Sequence, residues 1–156
     1  MPTIELFNVY YFLYIFIAIA ITILSVKFLN NKTDKFRRYF IFGLIMFNLA
    51  IHFLKVFFYP YTLVDEIWTK VSFENICAVS VLLFPFIYFT KNKTVKDYMI
   101  MVGMASGILT FVVPIDAMSP VFNGTIDIGV RNAYMLENLR FYTAHLILFL
   151  APFLMM

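Results

Sequence analysis

Residues 6–26 read LFNVYYFLYIFIAIAITILSV, without a single charged side chain. A helix needs roughly 20 mostly apolar residues to cross about 30 Å of hydrocarbon, and this segment meets that length outright. It lacks the polar face that a helix of a soluble bundle shows at its own period. Lipid offers no partner to an open backbone group, so a helix is the economical conformation for such a run.

Four further stretches follow the same pattern. Residues 39–54 carry only His52, residues 75–90 and 98–115 carry no charge, and residues 141–156 carry only His145. The second, third and fifth stretches reach spanning length by taking in flanking residues such as Phe57, Phe58, Val71 and Leu139. The expected fold is therefore all-α: one polytopic transmembrane helical bundle over residues 1–156. About five spans are expected, near 6–28, 38–58, 72–90, 98–115 and 139–156. Composition agrees, with 63% hydrophobic residues, 20% aromatic and 13% charged. Soluble domains run near half apolar and a quarter charged. The expected setting is the cell membrane, with multiple passes. We find no internal repeat and no second domain.

The charged residues between the stretches are sorted by sign. Lys27, Lys32, Lys35, Arg37 and Arg38 lie between the first two, and Lys91, Lys93 and Lys96 between the third and fourth. Acids dominate elsewhere, at Glu5, Asp65, Glu66, Asp116, Asp127 and Glu137. Basic loops face the cytoplasm, which predicts an N-terminus outside and a C-terminus inside. The net charge of +3 is thus a topological signal, and no nucleic-acid partner is implied. Glu5 stands where a secretory signal would carry Lys or Arg, so residues 6–26 are expected to remain as a span. Asn123-Gly124 and Gly129 predict an irregular outer loop around residues 119–137. Three Asn-X-Thr triplets, at Asn31, Asn92 and Asn123, match a glycosylation pattern. Two of them fall in the expected inner loops, and chance explains them better. The single cysteine excludes an internal disulfide.

That topology places several polar groups at one depth. His52 and Lys55 fall near the outer end of the second helix, and Glu74 and Cys77 near the outer start of the third. Asp116 follows the fourth, and His145 lies early in the fifth. At 1.5 Å rise per residue, Cys77, His52 and His145 fall on the order of 10 Å below the outer interface. Ionisable groups at membrane depth cost about 2.5–3.5 kcal/mol each on insertion scales, so they usually face the bundle interior. Each also has a plainer reading. Lys55 can snorkel to the headgroups, Glu74 can serve as a first-turn acid, and a lone membrane cysteine usually acts as a small hydrophobe. The histidines are harder to set aside, because a neutral imidazole still needs a partner. Glu74 and Cys77 share one helix face, as do Asn48 and His52. A thiol beside an imidazole is the minimum nucleophile and base pair, and Glu74 or Asp116 could orient the ring. No metal site or cofactor is expected, since no closely spaced ligand pair supports one. Gly103 and Gly107 form a GxxxG that suits close helix packing.

Three short segments carry a resemblance. Asn75-Ile76-Cys77-Ala78, Gly103 followed by Pro114, and Phe141-Tyr142-Thr143-Ala144-His145-Leu146 resemble, in order and spacing, segments of the YwaF-type bacterial integral membrane proteins. Those are similar to a eukaryotic multi-span acyltransferase that uses a cysteine and a histidine on phospholipid acyl chains. The resemblance covers residues 73–156. It implies Cys77 and His145 as catalytic residues, with Asp116 as a displaced acid. The shared depth adds Glu74, Asp116, His52, Asn75 and Asn48 as orienting or polar partners, and Asn75, Asn48 or Ser80 as donors to an oxyanion. It departs where Asn75 and Ala78 replace a His and an Asp, and where Val113-Pro114-Ile115-Asp116 displaces an acid. Members of that family continue past this C-terminus, so the chain is expected to be short relative to them. Membrane lipids are the expected partners, with a second copy or other membrane helices completing the wall. Two alternatives stand beside acyl transfer. In one the polar layer holds an ion or a small ligand for binding or transport; in the other it serves assembly alone.

Overall fold

Asn8, Thr33, Asn75 and Asn92 each mark a helix start by turning a side-chain oxygen onto a backbone N–H three residues on. The partners are Tyr11 at 2.9 Å, Phe36 at 3.3 Å, Ala78 at 2.9 Å and Val95 at 3.3 Å. Such caps satisfy donors that the first turn leaves open. They also account for two of the Asn-X-Thr triplets, since Thr33 and Asn92 are capping residues. In this computed structural model residues 7–58, 61–63, 67–72, 75–112 and 133–156 are described. They contain five α-helices: α1 (Val9–Asn30), α2 (Asp34–Leu54), α3 (Ile76–Phe89), α4 (Lys93–Val112) and α5 (Leu136–Met155). Three short 3₁₀ turns, Lys55–Phe57, Tyr61–Leu63 and Ile67–Val71, lie between α2 and α3.

Four of the helices are long and apolar enough to cross a membrane: α1, α2 with the turn that extends it to Phe57, α4 and α5. The expected third span does not reach that length. Residues up to Val71 are taken by a 3₁₀ turn and Asn75 caps the helix, so α3 keeps 14 residues, or about 21 Å of rise. The outer loop expected around residues 119–137 lies largely outside the described residues, but its end does not: Glu137 belongs to the first turn of α5.

The helices run alternately up and down. The Tyr88 hydroxyl at the end of α3 donates to the Arg38 carbonyl at the start of α2 at 2.8 Å. Gly103 of α4 lies against Leu148 and Pro152 of α5, while Gly107 lies against His145 and Phe149. The two basic loops therefore share one end of the bundle. The core is drawn from Ile41 and Ile45 of α2, Val81 and Phe84 of α3, Met99 of α4, and Ile147, Leu148 and Ala151 of α5. Helix α5 is central, with 56% of its spanning window buried, against 17% for α1. The α4–α5 contact is the most extensive in the bundle, and the two glycines explain it. A Cβ on Gly107 would sit 2.5 Å from the Phe149 Cβ and 2.8 Å from the His145 carbonyl oxygen. Small residues let two backbones approach closely where lipid supplies no hydrophobic drive between helices.

Candidate functional site

Cys77 stands in the first turn of α3, partly buried against the core. Its thiol meets the Ser106 hydroxyl of α4. Ser106 donates its own proton to the Gly103 carbonyl at 3.1 Å. One turn further along α4, Thr110 donates to the Ser106 carbonyl at 3.1 Å.

His145 is buried on α5, and its Nδ1 lies 2.8 Å from the Phe141 carbonyl oxygen. A carbonyl only accepts, so Nδ1 carries the proton and Nε2 of the neutral ring keeps its lone pair. The Phe141 ring lies 4.3 Å from the imidazole, centroid to centroid. A backbone carbonyl thus does for His145 what Glu74 or Asp116 was expected to do. Those two acids lie outside the described residues. Because the His145 backbone lies against Gly107 while Cys77 meets Ser106, the two residues address consecutive positions of α4.

The remaining candidates divide. Asn48, on α2, donates from Nδ2 to the Ala144 carbonyl at 3.2 Å, one residue before His145. Its Oδ1 is buried without a hydrogen-bond partner, in a crevice with Ile45, Val81, Phe84, Ile147 and Ala151. His52, one turn along α2, is buried with Nε2 3.1 Å from the Val71 carbonyl, so Nε2 is the protonated nitrogen. Asn75 is exposed and its side-chain oxygen is committed to the cap of α3. Ser80 turns back to donate to the Ile76 carbonyl at 2.7 Å. Asn48, Cys77, Ser106 and His145 therefore bring four helices into one polar layer. Among the described residues no three of His, Cys, Asp and Glu gather as a metal-ligand set.

A charged cluster next to this layer was not read from the sequence. Glu137 is fully buried in the first turn of α5 and accepts both forks of Arg140, with Nε to Oε2 at 2.6 Å. The Arg140 guanidinium lies 5.7 Å from the Tyr61 ring centroid, and the Lys55 ammonium 5.4 Å from the same ring. Both distances suit cation–π attraction. Lys55 itself is 6% exposed. It packs inward against Tyr61 instead of snorkelling. An i,i+3 pair of Glu137 with Arg140 was available as a signal. Tyr61 was not, since nothing local ties it to residues so far along the chain.

A sequence model of the TMEM164 family matches residues 5–156. The chain therefore belongs to the TMEM164 family and is a multi-pass membrane protein. No curated protein and no solved structure matches it.

Proposed function

We propose that this member of the TMEM164 family is a thiol-dependent acyltransferase or hydrolase acting on phospholipid acyl chains, with Cys77 as nucleophile and His145 as general base. The observation that carries the reading is the state of His145. With Nδ1–H held by the Phe141 carbonyl, its Nε2 keeps the lone pair of a base, and the His145 backbone packs on Gly107, next to the Ser106 that Cys77 meets. A base positioned in this way contributes about 10²–10⁴-fold to proton transfer.

The steps balance as follows. Nε2 takes the Cys77 proton, and the sulfur attacks the acyl ester carbonyl. The tetrahedral intermediate collapses to a thioester as the departing lysophospholipid alkoxide takes the proton back from Nε2. A hydroxyl of a second lipid, or water, then gives its proton to Nε2 and attacks the thioester. The departing Cys77 thiolate recovers the proton. The Asn48 amide, which donates to the Ala144 carbonyl one residue before His145, is a candidate for steadying the oxyanion. With the basic loops inside, the site opens toward the outer leaflet.

A second reading draws on a separate observation. Ser80, Ser106 and Thr110 all bond carbonyls of their own helices, as residues of a self-contained packing layer would. The experiment that separates the two offers the protein in lipid vesicles a tagged-acyl phospholipid. The catalytic reading expects transfer that Cys77→Ala abolishes. Transfer at the full rate in Cys77→Ala rules out covalent catalysis at this residue and returns the layer to packing.

A further inference from the structure

We propose that a groove between α1 and the α4–α5 pair holds one acyl chain of an anionic phospholipid drawn from the leaflet at the basic end of the bundle. The groove encloses about 380 Å³ and is lined by residues that include Ala18, Ile19, Ile23, Ile108 and Phe149. Its two polar side chains are already satisfied. The Tyr11 hydroxyl donates to the Val112 carbonyl at 3.4 Å, and Thr22 donates to the Ala18 carbonyl at 2.8 Å. Apolar cavities of this kind stay dry, because water finds no partners in them. At this depth the remaining solvent is hydrocarbon.

The groove does not close on itself because α1 is held at both ends. At one end the Tyr14 hydroxyl donates to the Ala133 carbonyl at 2.7 Å, and its ring stacks on Tyr142 at 4.3 Å. At the other, Arg37 donates from Nε to the Leu29 carbonyl and from Nη2 to the Asn30 carbonyl, both at 3.0 Å. Between these ties the helix stands away from the bundle. The Tyr11–Val112 bond and the Tyr10–Tyr134 ring pair shut the groove at the first end, so a chain reaches it from the second. There Lys27 lies one turn beyond Ile23, residues 27–38 carry Lys27, Lys32, Lys35, Arg37 and Arg38 against one acid, Asp34, and the start of α4 adds Lys93 and Lys96 against Asp97. A headgroup above the groove therefore meets an excess of positive charge, as anionic lipid recognition requires. The inference stands apart from Cys77 and His145.

The test reconstitutes the full chain in vesicles with phosphatidylglycerol or phosphatidylcholine carrying a diazirine in one acyl chain, irradiates them, and maps the labelled peptides. Label is expected on residues 18–23 and 146–149, with phosphatidylglycerol exceeding phosphatidylcholine about tenfold. Ala18→Phe, which fills the groove, should reduce that label about tenfold while label at Phe86, exposed on α3, is unchanged. Ile108→Trp fills it from the opposite wall and serves if Ala18→Phe does not fold. Lys27→Gln should lower the preference for phosphatidylglycerol and leave the groove itself labelled. Label spread evenly over exposed faces, label indifferent to both filling variants, or crosslinks to a second copy in place of lipid would each overturn the proposal. Equal label from the two lipids would overturn its anionic headgroup.

Discussion

At His145 a single backbone contact decides which nitrogen is free for chemistry. The Phe141 carbonyl takes the Nδ1 proton, so removing the ring removes the base without emptying the site. His145→Gln is expected to slow acyl transfer by about 10²–10⁴-fold while its melting temperature stays near that of the parent. Comparable rates for the two proteins would show that His145 is not the base. Asn48 offers the complementary case. Its Oδ1 is buried and unpaired, and an unpaired buried acceptor costs about 1–3 kcal/mol. Leucine fills a similar space, and the Ala144 carbonyl keeps its helical partner. Asn48→Leu should therefore melt no lower than the parent and should lose transfer activity if the amide steadies an oxyanion. A thermal scan read beside a rate separates the two effects. Cys77 and His145 were legible because each is a lone reactive group in apolar sequence. Ser106 was not, because a serine between two glycines reads as packing until Cys77 is seen against it.

Among the elements, α4 and α5 are the pair on which the site depends. Gly107 lets the His145 backbone come close enough that even a methyl group would collide with it. Gly107→Ala is expected to cost about 1–3 kcal/mol, as overpacking does, and to lower the melting temperature in detergent. An unchanged melting temperature would show that the helices part easily. The Glu137–Arg140 pair makes a second test at the start of α5. Breaking a buried pair on one side strands the other charge, so Glu137→Gln should destabilise by about 3–5 kcal/mol. The double replacement Glu137→Met with Arg140→Met should cost less than Glu137→Gln alone, and a thermal double-mutant cycle reads the difference. The helices α1, α2, α4 and α5 were legible from apolar length alone. The length of α3 was not: the uncharged run of residues 75–90 marks the helix, but the span expected from residue 72 took in residues that the 3₁₀ turn and the Asn75 cap leave out.

For the whole molecule, the bundle gathers both basic loops at one end, and the sign of their charge predicts that this end faces the cytoplasm. With Cys77→Ala as background, a cysteine placed at Lys32 should react with an impermeant maleimide only after the membrane is permeabilised. Reaction in intact cells would invert the topology and move the site to the inner leaflet. The alternation of apolar runs and charged loops made the membrane class legible. A polar level shared by four helices was also legible from the topology, but the particular contact of Asn48 with the Ala144 carbonyl was not, since the two meet across 96 positions of sequence. The same layer carries the central claim, that Cys77 bears an acyl group during turnover. The direct measurement is the mass of the Cys77 peptide after the protein meets a tagged-acyl phospholipid. An adduct of acyl mass that hydroxylamine removes, and that His145→Gln forms far more slowly, is the expected result. A Cys77 peptide that stays unmodified while tagged acyl chains still move between lipids would contradict it.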